Sequence, residues 1–141
     1  MQLSLTQIAH QYLQSVLKAG DLAIDATAGN GHDSVACAEC IHPGGQLQYI
    51  DCQPSAIAAT SQRLAQLTEL QCQIVSHLGD HAQILASLQG RYAGQAKTII
   101  FNLGYLPGSD KSIQTQPQTT LRALQSAQQL LHPAGLLLVT A

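Results

Sequence analysis

"LAIDATAGNGHDS", residues 22–34, runs from a short apolar segment through Asp25 into a turn holding Gly29 and Gly31, and then into the small-residue stretch "VACAEC". An apolar strand that passes through a glycine turn into a helix is the opening unit of a parallel α/β sheet. Glycines at that turn let the backbone approach a ligand beyond the carboxyl end of the strand.

The same alternation continues in both directions. Upstream, Leu5, Ile8, Ala9, Tyr12, Val16 and Leu17 recur at helical spacing, and Gly20 supplies a stop, which predicts an amphipathic lead-in helix within residues 1–20. Downstream, "HPGG" at 42–45 reads as a turn and "QLQYID" as a strand. Pro54 opens a helix to about residue 67, since its missing N–H has no partner to lose there. "CQIVSH" is a strand, 81–89 a helix, "KTIIFN" a strand, 117–131 a helix and "GLLLVT" a strand. Five strands separated by helices predict an α/β fold with a mostly parallel sheet and helices on both faces, in one domain spanning 1–141. The last strand reaches the end of the chain. Its open edge is expected to be covered by a partner, such as a second copy in a homodimer, or by a further segment.

Composition narrows the function classes. Charged residues make up only 10% of the 141 residues and the formal net charge is -2, with no basic arm, so nucleic-acid binding cannot be argued from electrostatics. The N-terminus lacks a charged leader with an apolar core, and no stretch is long enough to cross a bilayer, which predicts a cytoplasmic protein with no membrane partner. The four cysteines, Cys37, Cys40, Cys52 and Cys72, suit reduced thiols. Cys37 and Cys40 have half of a zinc spacing without a second half, and Gly79 interrupts any helix that would align His77 with His81, so no metal site is expected.

A dinucleotide turn needs a third glycine where this chain has Ser34, which disfavours an oxidoreductase using NAD. Instead Asp25 precedes Gly29 by four residues and Asp51 follows Gly31 by twenty, at the end of the next strand. A carboxylate at the second place accepts hydrogen bonds from both ribose hydroxyls, and one at the first suits an ammonium group and repels pyrophosphate. The ligand is therefore expected to be nucleoside-like and partly cationic, a description S-adenosylmethionine meets. The plainer alternative is a strand-to-helix turn with helix-capping aspartates. A second loop follows the fourth strand, "FNLGYLPGSDKS", residues 101–112. Asn102 there can accept a hydrogen bond from an amine and orient its lone pair, and Tyr105 can pack against the substrate; the alternative is a loop stiffened by Pro107 and turned by Gly104 and Gly108.

Taken together, "DATAGNGHDS" and "FNLGYLPGSDKSIQTQPQTTLRAL" resemble the small class I S-adenosylmethionine-dependent methyltransferases first labelled rRNA methylases and now associated with the wobble uridine of tRNA. The resemblance runs from about Leu22 to the chain end through "IDCQPSAI", "DHAQIL" and "LLHPAGLLLV". It implies a Rossmann-like class I fold and methylation of the primary amine of 5-aminomethyl(-2-thio)uridine in the anticodon region of tRNA. By that match Asp25, Thr27, Gly29, Asn30 and Gly31 would bind the methionine part of the cofactor, Asp51 and Gln53 its ribose and adenine side, and Asp80 and His81 the adenine rim. Asn102, Leu103, Gly104 and Tyr105 would line the transfer site, with Asn102 and Tyr105 catalytic and Asn102 and Leu103 also against cofactor. His32, Asp33, Gly104, Asp110 and Lys111 would touch substrate. Two departures stand out: Ser109 replaces a glycine, and members of the family continue past the fifth strand with further strands that are absent from this sequence. The alternatives in view are methylation of rRNA or another RNA, and a truncated non-catalytic module that only binds S-adenosylmethionine.

Overall fold

The computed structural model describes residues 2–104 and 117–140. Helices and strands alternate along the chain: α1 Leu5–Val16, β1 Leu22–Asp25, α2 His32–Ile41, β2 Gln46–Asp51, α3 Pro54–Ala65, β3 Gln73–Leu78, α4 His81–Tyr92, β4 Ala96–Asn102, α5 Pro117–Leu130 and β5 Leu131–Thr140. The strands form one sheet in the order β3-β2-β1-β4-β5, and every neighbouring pair is parallel. From β1 the chain first moves outward through β2 to β3, then returns to the other side of β1 for β4 and β5. The carboxyl ends of β1 and β4 therefore flank the switch point, where a sheet of this kind opens a crevice for a ligand.

Period-two alternation sends each strand's side chains to two cores. Ile24, Ile50, Ile99 and Phe101 pack under α4 and α5 with Leu85, Leu88, Ala123, Ala127 and Leu130. Ala23, Leu47, Tyr49 and Ile100 pack on the other face with Leu13, Leu17, Cys37, Ala38, Ile41 and Leu64 from α1, α2 and α3. β1 is buried along its whole length, as its central position requires. This is the expected Rossmann-like α/β architecture with helices on both faces.

Four elements differ in detail from the expectation. α1 buries Ala9 and Leu13 on the sheet side, and leaves Leu5, Ile8 and Tyr12 of the expected apolar face exposed. A capping box between Ser4 and Gln7 fixes its start. α4 continues through Gly90 to Tyr92, because the Tyr92 ring is buried in the core and its hydroxyl accepts from Gln46 Nε2 at 3.1 Å. β3 is an edge strand and largely exposed, Ile74 and Leu78 included. β5 begins at Leu131, and a register shift opposite Ala96 and Thr98 absorbs the Pro133 segment. Gly135 permits that irregularity: a Cβ there would stand 2.9 Å from the His132 carbonyl oxygen and 3.0 Å from that of Ala96. β5 pairs with β4 at the other edge and is partly exposed along its length. No helix among the described residues is long and apolar enough to cross a membrane.

Candidate functional site

The carboxyl ends of β1, β2 and β4 are tied to one another through the glycine turn. The Gly29 N–H donates to Asp51 Oδ2 at 3.0 Å, joining the turn to β2. The Asn102 N–H donates to Thr27 Oγ1 at 2.6 Å, joining it to β4. Backbone bonds reinforce both links, from Ala28 N–H to the Ile50 carbonyl and from Ala26 N–H to the Ile100 carbonyl, each 2.8 Å. The residues singled out on separate strands are thus brought to one rim, with Asp80 and His81 beside it at the start of α4.

Asp25 lies beneath this rim rather than on it. It is fully buried, Ser34 Oγ donates to its Oδ2 at 2.7 Å, and the Thr27 N–H donates to its Oδ1 at 3.2 Å. Burial pushes its carboxyl up to about 7. The Ser34 hydrogen bond opposes this, Asp33 adds to it, the Thr27 N–H opposes it and Asp51 adds a little more. Ser34 therefore has a positive role where a dinucleotide turn would carry glycine, since its hydroxyl holds the acid at the base of the turn.

Asp51 stands at the rim, with Oδ1 accepting from the Gln53 N–H at 3.0 Å. A carboxylate has about four lone-pair sites, so two such bonds leave acceptors for a diol. Gln53 is the residue before α3, and its backbone is what meets Asp51. Asp80 caps α4 by accepting from the Ala82 N–H at 2.7 Å. His81 is buried edge-on against Phe101, and burial holds its imidazole below its usual range against opposing pulls from Asp80, Ala26 and Asp51, which leaves it neutral at pH 7.

The first turn of α2 offers donors. Gly31 precedes it in a left-handed conformation and supplies no side-chain cap, in contrast to Ser4 before α1 and Asp80 before α4. The first N–H groups of α2 and that of Asn30 meet no acceptor among the described residues, a setting that suits an anionic group such as a carboxylate. His32 is exposed at the first helical position, and Asp33 is paired with His10 Nε2 of α1 at 2.7 Å. This hydrogen bond ties α1 to the site. On β4, Asn102 is exposed, with its Oδ1 receiving the Gly104 N–H at a long 3.4 Å, and the Leu103 N–H donates to the Thr140 carbonyl at 2.8 Å. Tyr105, Asp110 and Lys111 lie outside the described residues.

Sequence reasoning missed three contributors besides Ser34. His10 belongs to a helix far away in sequence. Thr60 and Arg63 of α3 bond the backbone carbonyls of Gly29 and Asn30. Only Ser34 had a sequence signal, its position in place of the third glycine. Of the candidate metal pairs, Cys37 is fully buried, Cys40 partly exposed, and the His77 ring is bonded to Gln48 Oε1.

The family model described as "Putative rRNA methylase" matches residues 47–141. The chain belongs to this family. A "putative rRNA-methylase" from Clostridium thermocellum is 32% identical and its structure superposes with a TM-score of 0.84, covering 97% of this chain and 72% of that one. A "putative methyltransferase" from Streptococcus mutans, solved in complex with SAH, is 32% identical with a TM-score of 0.80, covering 99% of this chain and 73% of that one. The tRNA (mnm(5)s(2)U34)-methyltransferase, chloroplastic, of Arabidopsis thaliana is 37% identical over 140 aligned positions, covering 94% of this chain and 50% of that protein. The chain thus spans about half the length of this curated relative. Both structures share the fold described above across nearly the whole of this chain.

Proposed function

We propose that this chain transfers a methyl group from S-adenosylmethionine to an amine, and that the amine is the 5-aminomethyl group of the wobble uridine of tRNA. One observation supports this above the rest. The backbone N–H of Asn102 ties this exposed residue through Thr27 to the same turn whose free N–H groups and flanking Asp51 suit a nucleoside bearing an amino-acid head. The relatives support it too: one is named for the tRNA reaction and another was solved with SAH.

The residues fit the cofactor. Donors at the start of α2 and at Asn30 suit its carboxylate, and the open lone pairs of Asp51 suit its ribose hydroxyls. Asp33, Asp51 and Asp80 stand at the carboxyl end of the sheet, so the field there favours sulfonium and ammonium charges. When bound, S-adenosylmethionine supplies a methyl carbon already activated by a good leaving group.

The chain's own task is to bind and orient the amine. An alkylamine arrives protonated, and the acidic rim attracts it in that form. Water, His32 or Asp33, the last held in place by His10, takes the proton. Asn102 Oδ1 then accepts an N–H from the neutral amine and turns its lone pair toward the methyl carbon. The working place is the aqueous cytosol, where the four free cysteines stay reduced.

The test is methylation of tRNA carrying the aminomethyl wobble base. Asn102→Ala should lower turnover roughly 100-fold while SAH affinity changes little. Equal losses in both would remove the orienting role. The family's description favours a second reading, rRNA as the methyl acceptor, and unmodified rRNA in the same assay separates the two.

A further inference from the structure

We propose that Thr60 and Arg63 of α3 are positioning residues that set the peptide orientation of the cofactor turn. This rests on the methyltransferase reading above. Thr60 Oγ1 donates to the Gly29 carbonyl at 3.2 Å, and Arg63 Nε donates to the Asn30 carbonyl at 2.9 Å. Residues three apart lie on one face of a helix, so a single face of α3 grips two successive carbonyls of the turn.

The consequence follows from peptide geometry. A trans peptide is planar, with its C=O and N–H on opposite sides. Holding the Gly29 carbonyl toward α3 directs the Asn30 N–H away from α3, and that N–H meets no acceptor among the described residues. Holding the Asn30 carbonyl in the same way sends the Gly31 N–H back to the Ala28 carbonyl at 2.9 Å, which closes the turn. Gly29 and Gly31 have φ of 56° and 90°, values open to glycine, so the peptide units around Asn30 can rotate as plates between them. A flipped unit would present a carbonyl oxygen where a ligand carboxylate needs a donor.

The approach of α3 also explains Gly31. A Cβ there would lie 2.8 Å from Thr60 Cα and 3.1 Å from its Oγ1. The missing side chain makes room for α3.

Isothermal titration with SAH, together with methylation kinetics, tests the proposal on the full chain. Thr60→Val and Arg63→Ala should each weaken SAH binding roughly fivefold to twentyfold, as expected for a lost positioning hydrogen bond. KM for S-adenosylmethionine should rise in step, with kcat nearly unchanged. Thr60→Ser, which keeps the hydroxyl, should restore wild-type affinity. The charge of Arg63 also suits the last turn of α3, so Arg63→Gln, which places an N–H donor where Nε stood and removes the charge, separates the two roles: SAH affinity near wild type supports the grip, and the full loss seen in Arg63→Ala assigns Arg63 to the helix end alone. Wild-type SAH affinity in both Thr60→Val and Arg63→Ala would overturn the proposal. Absence of SAH binding in the unmutated chain would instead overturn the methyltransferase reading, and this proposal with it.

Discussion

Asp25 ends β1 with no solvent exposure and a carboxyl pushed up to about 7 from its ordinary 3.8. Because the folded state holds the proton more tightly than the unfolded chain does, this group's stabilisation is full below about pH 4. It is lost as pH rises through 7, a change on the order of 4 kcal/mol over the window. Asp25→Asn imitates the protonated carboxyl and should flatten the melting temperature between pH 5 and 8, where the unmutated chain declines. Parallel curves would show that the buried carboxyl does not set the slope. Gly31 and Gly44 make a second test, since their φ values are 90° and 88° but only Gly31 has Thr60 against it. Alanine should cost about 1–2 kcal/mol at Gly44 for backbone conformation alone, and roughly 1–3 kcal/mol more at Gly31 for the clash. Thermal or denaturant unfolding reads the difference. In the sequence Asp25, Gly29, Gly31 and Asp51 stood out by type and spacing. Their division of labour did not, because burial of Asp25 under Ser34 and pressure from Thr60 on Gly31 arise only once α2 and α3 pack together.

Among the elements, α1 was the least legible. Its apolar positions outnumber those it buries, so periodicity alone could not choose between the stripe at Ala9 and Leu13 and the one at Leu5, Ile8 and Tyr12. The choice is made by packing against α2 and β4, and by the hydrogen bond between His10 and Asp33. His10→Ala should lower global stability by only about 0.5–1 kcal/mol, as for a partly exposed pair. Amide hydrogen exchange across residues 5–16 should nonetheless rise, because the tie that holds α1 to α2 is gone. Unchanged exchange there would mean that the apolar contacts hold α1 unaided. β2 and β4 were read to within a residue because aromatic and β-branched residues, Tyr49 with Ile50 and Thr98 to Phe101, cluster in each between turns. The long α4 and the irregular start of β5 were not, since Tyr92 and Gly135 reveal their roles only through Gln46 and Ala96, distant in sequence.

Across the whole molecule, the parallel order of the sheet sets four acidic residues, Asp25, Asp33, Asp51 and Asp80, at or beneath the carboxyl ends of its strands, with the Arg63 side chain reaching the same turn. The fold class was legible because strand and helix signals alternate without interruption. Asp51 and Asn102 were legible as neighbours of the glycine turn, because a parallel sheet brings the carboxyl ends of its strands to one side. The supports behind the rim, Thr60, Arg63 and His10, carry no signal of their own. The most direct measurement is calorimetric titration of the chain with SAH, alongside its Asp51→Ala variant and with NADH as the competing ligand. Saturable one-to-one binding of SAH, lost in the variant and absent with NADH, is the expected result; no heat with SAH, or binding of NADH in its place, would contradict the assignment of the glycine turn.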